Sequence, residues 1–405
     1  MSESHWLECP DCGLLQILPP PKAQHVRRCT RCGRSFGDGT NHGEAARALI
    51  LTALLLFLLA NLYPFIGLDF GGRESSIHLG SGIGGMARYN DLLPISLLVL
   101  AISILAPLGR LLALGLVVLE LRHGRHKTHL LANLMHFADR VRAWSMLDVF
   151  LVGSLVALTK LHDLASVTVG IGLYMLGALV IVLALLELAV DRHALWQQIL
   201  PAPSADTPAN PDWIGCSDCG MVQTPGERCV RCASKLHRRK PYSLQRAAAL
   251  VLTGFILYLP ANLYPVLTVI TLGRGAPSTI LGGVIELASS NDWPLAAIVF
   301  VASVAVPLLK LFGLGALIVT TRIGAARGLT DRTRLYRLID LVGRWSTVDV
   351  IVAALLTALV TLGNIAQVLP GLGVLAFGGV VFVTLLATEF FDPRLLWDAA
   401  GANDA

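Results

Sequence analysis

The chain has 405 residues, 54% of them hydrophobic and only 15% charged, with a mean hydropathy of +0.66. This composition excludes an ordinary soluble domain and predicts an integral membrane protein of the polytopic α-helical kind. The net charge of +5 is mild and concentrated in particular loops, so it speaks to topology before partners.

The first segment, residues 1–45, is polar. It lacks the apolar stretch and small-residue cleavage site of a secretory signal, so the first apolar segment is expected to serve as an uncleaved anchor. It carries Cys9, Cys12, Cys29 and Cys32, and a second polar segment carries Cys216, Cys219, Cys229 and Cys232. The spacings are C-x2-C-x16-C-x2-C and C-x2-C-x9-C-x2-C. Each C-x2-C turn presents two thiolates to one ion, and two turns close a tetrahedron, which matches structural zinc ribbons. Glycine follows the second cysteine at Gly13, Gly33 and Gly220, and Ala233 is the exception. Zinc, one ion per four-cysteine set, is the expected cofactor. Iron stays open, because four thiolates do not choose the metal. A dithiol redox role is weaker, because the βαβ context of thioredoxin-like motifs is absent. Disulfides do not fit the reducing side of a membrane.

Four apolar spans follow, at about 47–67, 93–119, 146–163 and 166–189, and four more at about 246–270, 294–319, 347–363 and 366–389. The third and fourth of each set are expected to form a tight hairpin. An internal repeat relates the two sets. Asn61 to Pro64 recurs as Asn262 to Pro265, and Asn90-Asp91 as Asn291-Asp292. Pro107 to Arg110 recurs as Pro307 to Lys310, and Trp144, Ser145 and Asp148 as Trp345, Ser346 and Asp349, all at an offset of 200–201. The reading is eight transmembrane helices as two tandem four-helix repeats, plus two small cytoplasmic β zinc-ribbon modules. The units are 1–45, the first ribbon; 46–200, the first membrane unit; 201–240, a proline-rich linker with the second ribbon; 241–398, the second membrane unit; and 399–405, a tail. Four spans per half is even, so the repeat is parallel. Loops on the ribbon side hold most of the Lys and Arg, whereas the opposite loops hold only Arg73, Arg88 and Arg274. The positive-inside rule therefore places both termini and both ribbons in the cytoplasm. The basic residues serve topology and anionic headgroups, so no nucleic-acid partner is expected.

Lys310 stands inside the apolar run 294–319. A lysine there costs about 2.5–3.5 kcal/mol, and its stem covers only part of the roughly 14 Å to Val319. Either it snorkels or pairs with an acid, or it marks a functional site. Ser303 lies on the same helical face, and Pro307 between them predicts a kink. Thr384 offers a hydroxyl within a neighbour's reach. Lys160 and Asp163, three residues apart, can pair with each other, and Thr361 and Asn364 replace them in the second half. The Asn-Leu-Tyr-Pro motifs read as helix ends, the Asn-Asp pairs as N-caps, and Trp144 and Trp345 as interfacial anchors.

The C-x2-C pairs, both Asn-Leu-Tyr-Pro motifs, Trp-Ser-x-x-Asp in each half, Lys160 to Ala165 and Phe391 to Trp397 together resemble the paraquat-inducible protein A family, over nearly the whole chain. The resemblance implies a multi-pass inner-membrane protein of a diderm bacterium, not an enzyme. Its implied partners are a periplasmic MCE-domain protein and phospholipid, in lipid trafficking between the two membranes. It also implies an intramembrane polar network for transport, whose matching residues are Lys310, Ser303, Thr384, Lys160, Asp163 and Ser346. No Walker motif occurs, so proton-motive force is a possible energy source, with Lys310 the group it would act on. Two rivals remain: a membrane scaffold whose ribbons recruit cytosolic factors, and a thiol redox sensor.

Overall fold

A computed structural model describes residues 4–20, 26–36, 43–70, 73–77, 97, 99–123, 128–142, 144–162, 166–204, 207–208, 210, 212–271, 274–289, 293–359 and 366–401. Most of these are helical, and seven helical stretches among them are long and apolar enough to cross a membrane. Lipid offers the backbone no hydrogen-bond partner, so an apolar run must bond within itself as helix.

The chain opens with a hairpin of β1 (His5–Glu8) and β2 (Leu15–Leu18). Helix α1 (Gly43–Leu62) follows. Its Leu51, Leu55, Leu58 and Leu62 are exposed on one stripe, while Ile50, Ala53, Phe57 and Ala60 are buried on the other. An exposed leucine stripe on so apolar a helix is a lipid-facing surface. Next come β3 (Ile66–Phe70) and β4 (Arg73–Ile77), then α2 (Ala106–Arg122), α3 (Thr128–Arg142), α4 (Leu147–His162), β5 (Ser166–Val169), α5 (Ile171–Ala189) and α6 (Arg192–Ile199).

The same order recurs after the short hairpin of β6 (Ile214–Gly215) and β7 (Val222–Gln223). Helix α7 (Ser243–Leu263) is followed by β8 (Leu267–Thr271) and β9 (Arg274–Ser278). Then come α8 (Ile280–Ser289), α9 (Trp293–Phe300), α10 (Val306–Arg322), α11 (Leu329–Gly343), α12 (Val348–Leu359), β10 (Ala366–Pro370), α13 (Leu372–Phe390) and α14 (Arg394–Asp398). The lipid stripe repeats too, as exposed Leu252, Ile256, Leu259 and Leu263 on α7.

The structure corrects three expectations. First, strands occupy ground assigned to spans. β3 pairs antiparallel with both β4 and β5, and β8 with both β9 and β10, giving a three-stranded sheet in each half. The spans expected from 166 and 366 therefore begin at Ile171 and Leu372, and the hairpins between spans contain a strand. The β-branched runs Ser166–Val169 and Leu267–Thr271 are apolar enough to pass for helix, but they take up sheet pairing instead. Second, the segments read as basic loops between spans are the amphipathic helices α3 and α11. Third, the helix before Pro307 carries one π-helical turn, Val301–Ala305, and its repeat is Ala101–Leu105. Pro307 has no N–H, so the carbonyl of Ser303 four residues back loses its ordinary partner.

Of the expected span 347–363, Thr347 and the helix Val348–Leu359 are described, and residues 360–363 lie outside the described residues, as do Asn90-Asp91, Asn291-Asp292, Thr361 and Asn364. Within each half α1 packs on α5 and α7 on α13, and α4 meets α12 across the halves. At that seam the Thr347 hydroxyl points to Met146 Sδ at 3.7 Å, and these two positions are themselves repeats of one another.

Candidate functional site

The cysteines assemble as two clusters, each with its four sulfurs within 4.8 Å of one another and buried. Cys9–Cys32 and Cys12–Cys29 stand 3.6 Å apart. Cys216–Cys232 stand 3.6 Å apart and Cys219–Cys229 3.5 Å. A tetrahedral ion with metal–sulfur bonds of about 2.3 Å needs sulfur–sulfur edges of about 3.8 Å, so the donor set fits one four-thiolate metal per cluster. All eight thiols are free of disulfides.

Each C-x2-C turn is closed by two backbone bonds. In the first, Gly13 N–H donates to Cys9 O at 2.8 Å and Cys9 N–H to Leu14 O at 2.9 Å. Closing the turn demands positive φ at the residue after the second cysteine, seen at Gly13 (70°), Gly33 (69°) and Gly220 (72°). Ala233 adopts the same conformation at φ 57°, so the odd residue of the sequence pattern keeps the geometry and carries its cost.

The two modules pack together. Gly215 N–H donates to Glu8 Oε2 at 2.6 Å, and Trp6 meets Trp213 edge-on at 5.9 Å. Burial pushes His193 down to about 3, with the His5 ring adding to the effect. The two rings face each other with their Nε2 atoms 2.8 Å apart.

Each module docks on the helices of the other half. In the first module, Asp11 is 2% exposed and accepts from Arg337 Nε of α11 at 2.7 Å. Arg337 also donates to Cys32 O at 3.2 Å and to Cys32 Sγ at 3.1 Å. In the second module, Asp218 lies 3.7 Å from His136 Nδ1 of α3, whose Nε2 is 3.2 Å from Cys232 O. His136 and Arg337 are repeats of one another, as are Asp11 and Asp218, each preceding the second cysteine of its pair. The terminal Phe391 to Trp397 motif completes the first module's seat. Asp392 accepts from Arg394 Nε and Nη2, both at 3.0 Å, and Arg394 Nη1 reaches Glu8 at 3.2 Å. Arg31 lies 5.6 Å over the Trp397 ring. The module sulfurs share apolar clusters with the same helices, Cys9 and Cys12 with Trp397 and Cys216 and Cys219 with Trp196.

Inside the apolar bundle, Lys310 is 1% exposed and donates to Thr384 Oγ1 of α13 at 3.2 Å. The Thr384 hydroxyl in turn donates to Val381 O at 3.0 Å. Ser243 Oγ donates to Phe390 O at 2.9 Å, marking where α7 begins and α13 ends. Thr384 is six residues earlier, about 9 Å inside that level. Gly343, closing α11, lies against the Lys310 stem, and a Cβ there would collide with Lys310 Cε. Among the described residues no carboxylate pairs with the ammonium. The Asp340 carboxylate acts on it electrostatically.

The structure brings Lys310 and Thr384 together and places Ser303 elsewhere. Ser303 sits in the π turn, donates to Val299 O at 2.7 Å, and lines a separate cavity of about 70 Å³ beside β8 and α8. Ser346 is buried at the base of α12, and its Oγ has no partner among the described residues. The Lys160 side chain and Asp163 lie outside the described residues. The reading missed Gly343 and Arg337. Comparing repeats finds both, since Gly343 stands where the first half has Arg142, and Arg337 where it has His136. The Asn-Leu-Tyr-Pro motif gains a role as well. Pro64 O and Pro265 O accept from Gly172 and Gly373 at 3.0 and 3.1 Å, tying the end of the first helix of each half to the start of the last.

The sequence matches the family model described as Paraquat-inducible protein A twice, at residues 44–200 and 244–401. It is 34% identical over 403 residues to "Intermembrane transport protein PqiA" of Escherichia coli strain K12, covering 96% of this chain and 95% of that one. It is 32% identical over 400 residues to "Lipophilic envelope-spanning tunnel protein A" of the same organism, covering 98% and 92%. A "Probable intermembrane transport protein" of Haemophilus influenzae is 27% identical over 402 residues, covering 96% and 95%. No solved structure matches.

Proposed function

The chain belongs to the paraquat-inducible protein A family, and on that premise we propose that it is an inner-membrane component of an intermembrane lipid-transport system. It takes phospholipid from the inner membrane and hands it to, or receives it from, a periplasmic MCE-domain tunnel protein. Two tandem four-helix units form the membrane body, eight spans in all. The two cysteine modules are zinc ribbons on the cytoplasmic side, as are both termini. The units divide at 1–45, 46–200, 201–240 and 241–398. Relatives matched over almost their full length are named for intermembrane transport and for an envelope-spanning tunnel, which supports this reading over a redox sensor.

One observation carries the transport claim to particular residues. Lys310 is a cation in apolar surroundings with a neutral hydroxyl as its hydrogen-bond partner. An arrangement so unfavourable to a fixed charge suits a group that gains and loses it, or that meets a polar cargo group. Lys310 with Thr384 is the core of the transport site, with Ser303, Ser346, Lys160 and Asp163 as further members. Zinc holds the ribbons in shape and supplies no chemistry to the cargo. The test is twofold. Phospholipid should co-purify with the protein and be identified by mass spectrometry. Lys310→Ala should reproduce the loss of envelope integrity of a deletion while leaving protein abundance normal, and full complementation by that variant would sink the site assignment.

A further inference from the structure

Arg110 occupies the position of Lys310 in the first half, and its surroundings differ in kind. Arg110 pairs with Glu187, in the last turn of α5. Arg142, at the end of α3, donates to the other oxygen of the same carboxylate at 3.2 Å. Arg192, opening α6, pairs with Asp139 of α3. All five line one cavity of about 30 Å³. Three guanidiniums thus share two carboxylates, which leaves one positive charge in surplus at the cavity. The side chains of Arg142 and Arg192 are 50% and 45% exposed, so the cluster is open to its surroundings.

The second half serves as an internal control. There the same five positions read Lys310, Asp340, Gly343, Thr388 and Pro393. One cation and one acid replace three and two, and the cation is sealed. The arginine cluster is therefore not something the repeated architecture demands. Its depth is also specific. Glu187 is two residues from the end of the apolar helix Ile171–Ala189, and α3 and α6 are polar helices beyond that end. The cavity stands at the level of lipid headgroups, on the face that carries the cysteine modules.

We infer that this cavity binds the phosphate of an anionic phospholipid, as the headgroup site through which the first half engages lipid. The inference rests on the transport reading and adds to it the half of the molecule, the side chains and the headgroup charge. Guanidinium forks match phosphate oxygens in geometry as well as charge. The space behind the arginines takes a group of about the size of one water, so one phosphate oxygen enters while the rest of the headgroup stays in the interface. The acyl chains then lie along the lipid-facing surface of α5, where Tyr174, Ile181, Leu185 and Leu188 are exposed. Glu187 is the internal competitor, because it occupies the donors that the phosphate would use.

The experiment is native mass spectrometry of the full-length, metal-loaded protein in detergent. It is titrated separately with phosphatidylglycerol, phosphatidylcholine and inorganic phosphate. The parent should take one phosphatidylglycerol at least tenfold more tightly than phosphatidylcholine, and inorganic phosphate at millimolar concentration should displace it poorly. Arg142→Gln with Arg192→Gln, both partly exposed, should abolish that preference. Glu187→Gln should strengthen phosphatidylglycerol binding, which a merely structural ion pair would not do. Equal phosphatidylglycerol binding by the parent and the double arginine variant overturns the site while leaving the transport reading in place. Displacement by inorganic phosphate at the affinity of the lipid also overturns it, in favour of a free-anion site. A parent that retains no phospholipid of any class overturns the transport reading itself.

Discussion

Arg337 of α11 donates to Asp11 at 2.7 Å, so a helix near the end of the chain holds the module that begins it. The bond joins a residue of the second half to one that precedes the first, and its repeat joins His136 to Asp218 at 3.7 Å. Arg337→Ala should therefore loosen the first module and spare the second. Limited proteolysis with mass mapping checks this. Cleavage should quicken within residues 1–45 for Arg337→Ala and within 212–240 for His136→Ala. Asp11 keeps Arg34 as a partner, so the stability cost should stay near the lower end of the about 3–5 kcal/mol expected when a buried pair is broken.

The four C-x2-C turns allow a matched pair of changes. Ala233 at φ 57° holds a conformation that costs an L-residue about 1–2 kcal/mol. Ala233→Gly should stabilise the second module by about 1 kcal/mol. Gly33→Ala should destabilise the first by a similar amount. A Cβ at Gly33 would meet nothing within 4 Å, so the backbone alone sets that cost. Metal release under a chelator, followed separately for each module in variants lacking the other's cysteines, reads both signs.

Metal removal tests the clusters directly. Acid-denatured protein should release two zinc ions per chain, and Cys12→Ser should reduce this to one. Because both modules seat on helices of the opposite halves, chelation should also speed proteolysis at α3 and α11. Iron in place of zinc, or thiols that cycle with a mild oxidant, would revive the redox reading.

A substitution at Lys310 can separate an effect on stability from an effect on transport. Lys310→Met removes a buried charge and keeps the stem's volume, so the protein should melt at the same temperature or higher. It should nevertheless fail to restore resistance to detergents in a deletion strain. Gly343→Ala adds a methyl group against the Lys310 stem and should cost about 1–3 kcal/mol through overpacking.

Asp392 carries a pH signature. Burial works against its charge, but the Arg394 guanidinium and the bond from Lys240 N–H outweigh burial and hold its carboxyl below the usual carboxylate range. A folded pKa below the unfolded one contributes stability that is fully present above the unfolded value of about 3.9 and is lost as pH falls through the folded value. The difference in melting temperature between parent and Asp392→Asn should therefore be constant from pH 7 to pH 5 and shrink below pH 4. Metal loss in acid affects both proteins and cancels in the difference.

The cysteine clusters, their glycine turns and the repeat could all be read from the residues, because ligand spacing and left-handed turns are local constraints. The sheets were hidden because strands such as Leu267–Thr271 are apolar and adjoin apolar helix, and hydropathy does not distinguish the two. Helix α11 was hidden behind its own charge, since Arg332, Arg334 and Arg337 read as a basic loop although Leu335, Ile339 and Val342 recur at helical spacing. Thr384 could be named beside Lys310 because it is a hydroxyl within an apolar span and one of the residues that the family resemblance implies. Gly343, which makes room for the lysine stem, is visible only by comparing it with Arg142.

The exchange of modules between halves is the contact pattern of a domain-swapped homodimer carried by a single chain. In such a pair of separate chains, every substitution would fall on both copies at once. Joined end to end, the copies are released from that constraint while each still needs the other's surface to hold its module. One copy could then keep an ion-paired arginine at residue 110 while the other sealed a lysine at 310. Cutting the chain between residues 201 and 211 and expressing the two parts together should thus give a working heterodimer, whereas either part alone would leave its module only the contacts within its own half, Arg27 with Asp191 in the first and Arg239 with Asp398 in the second.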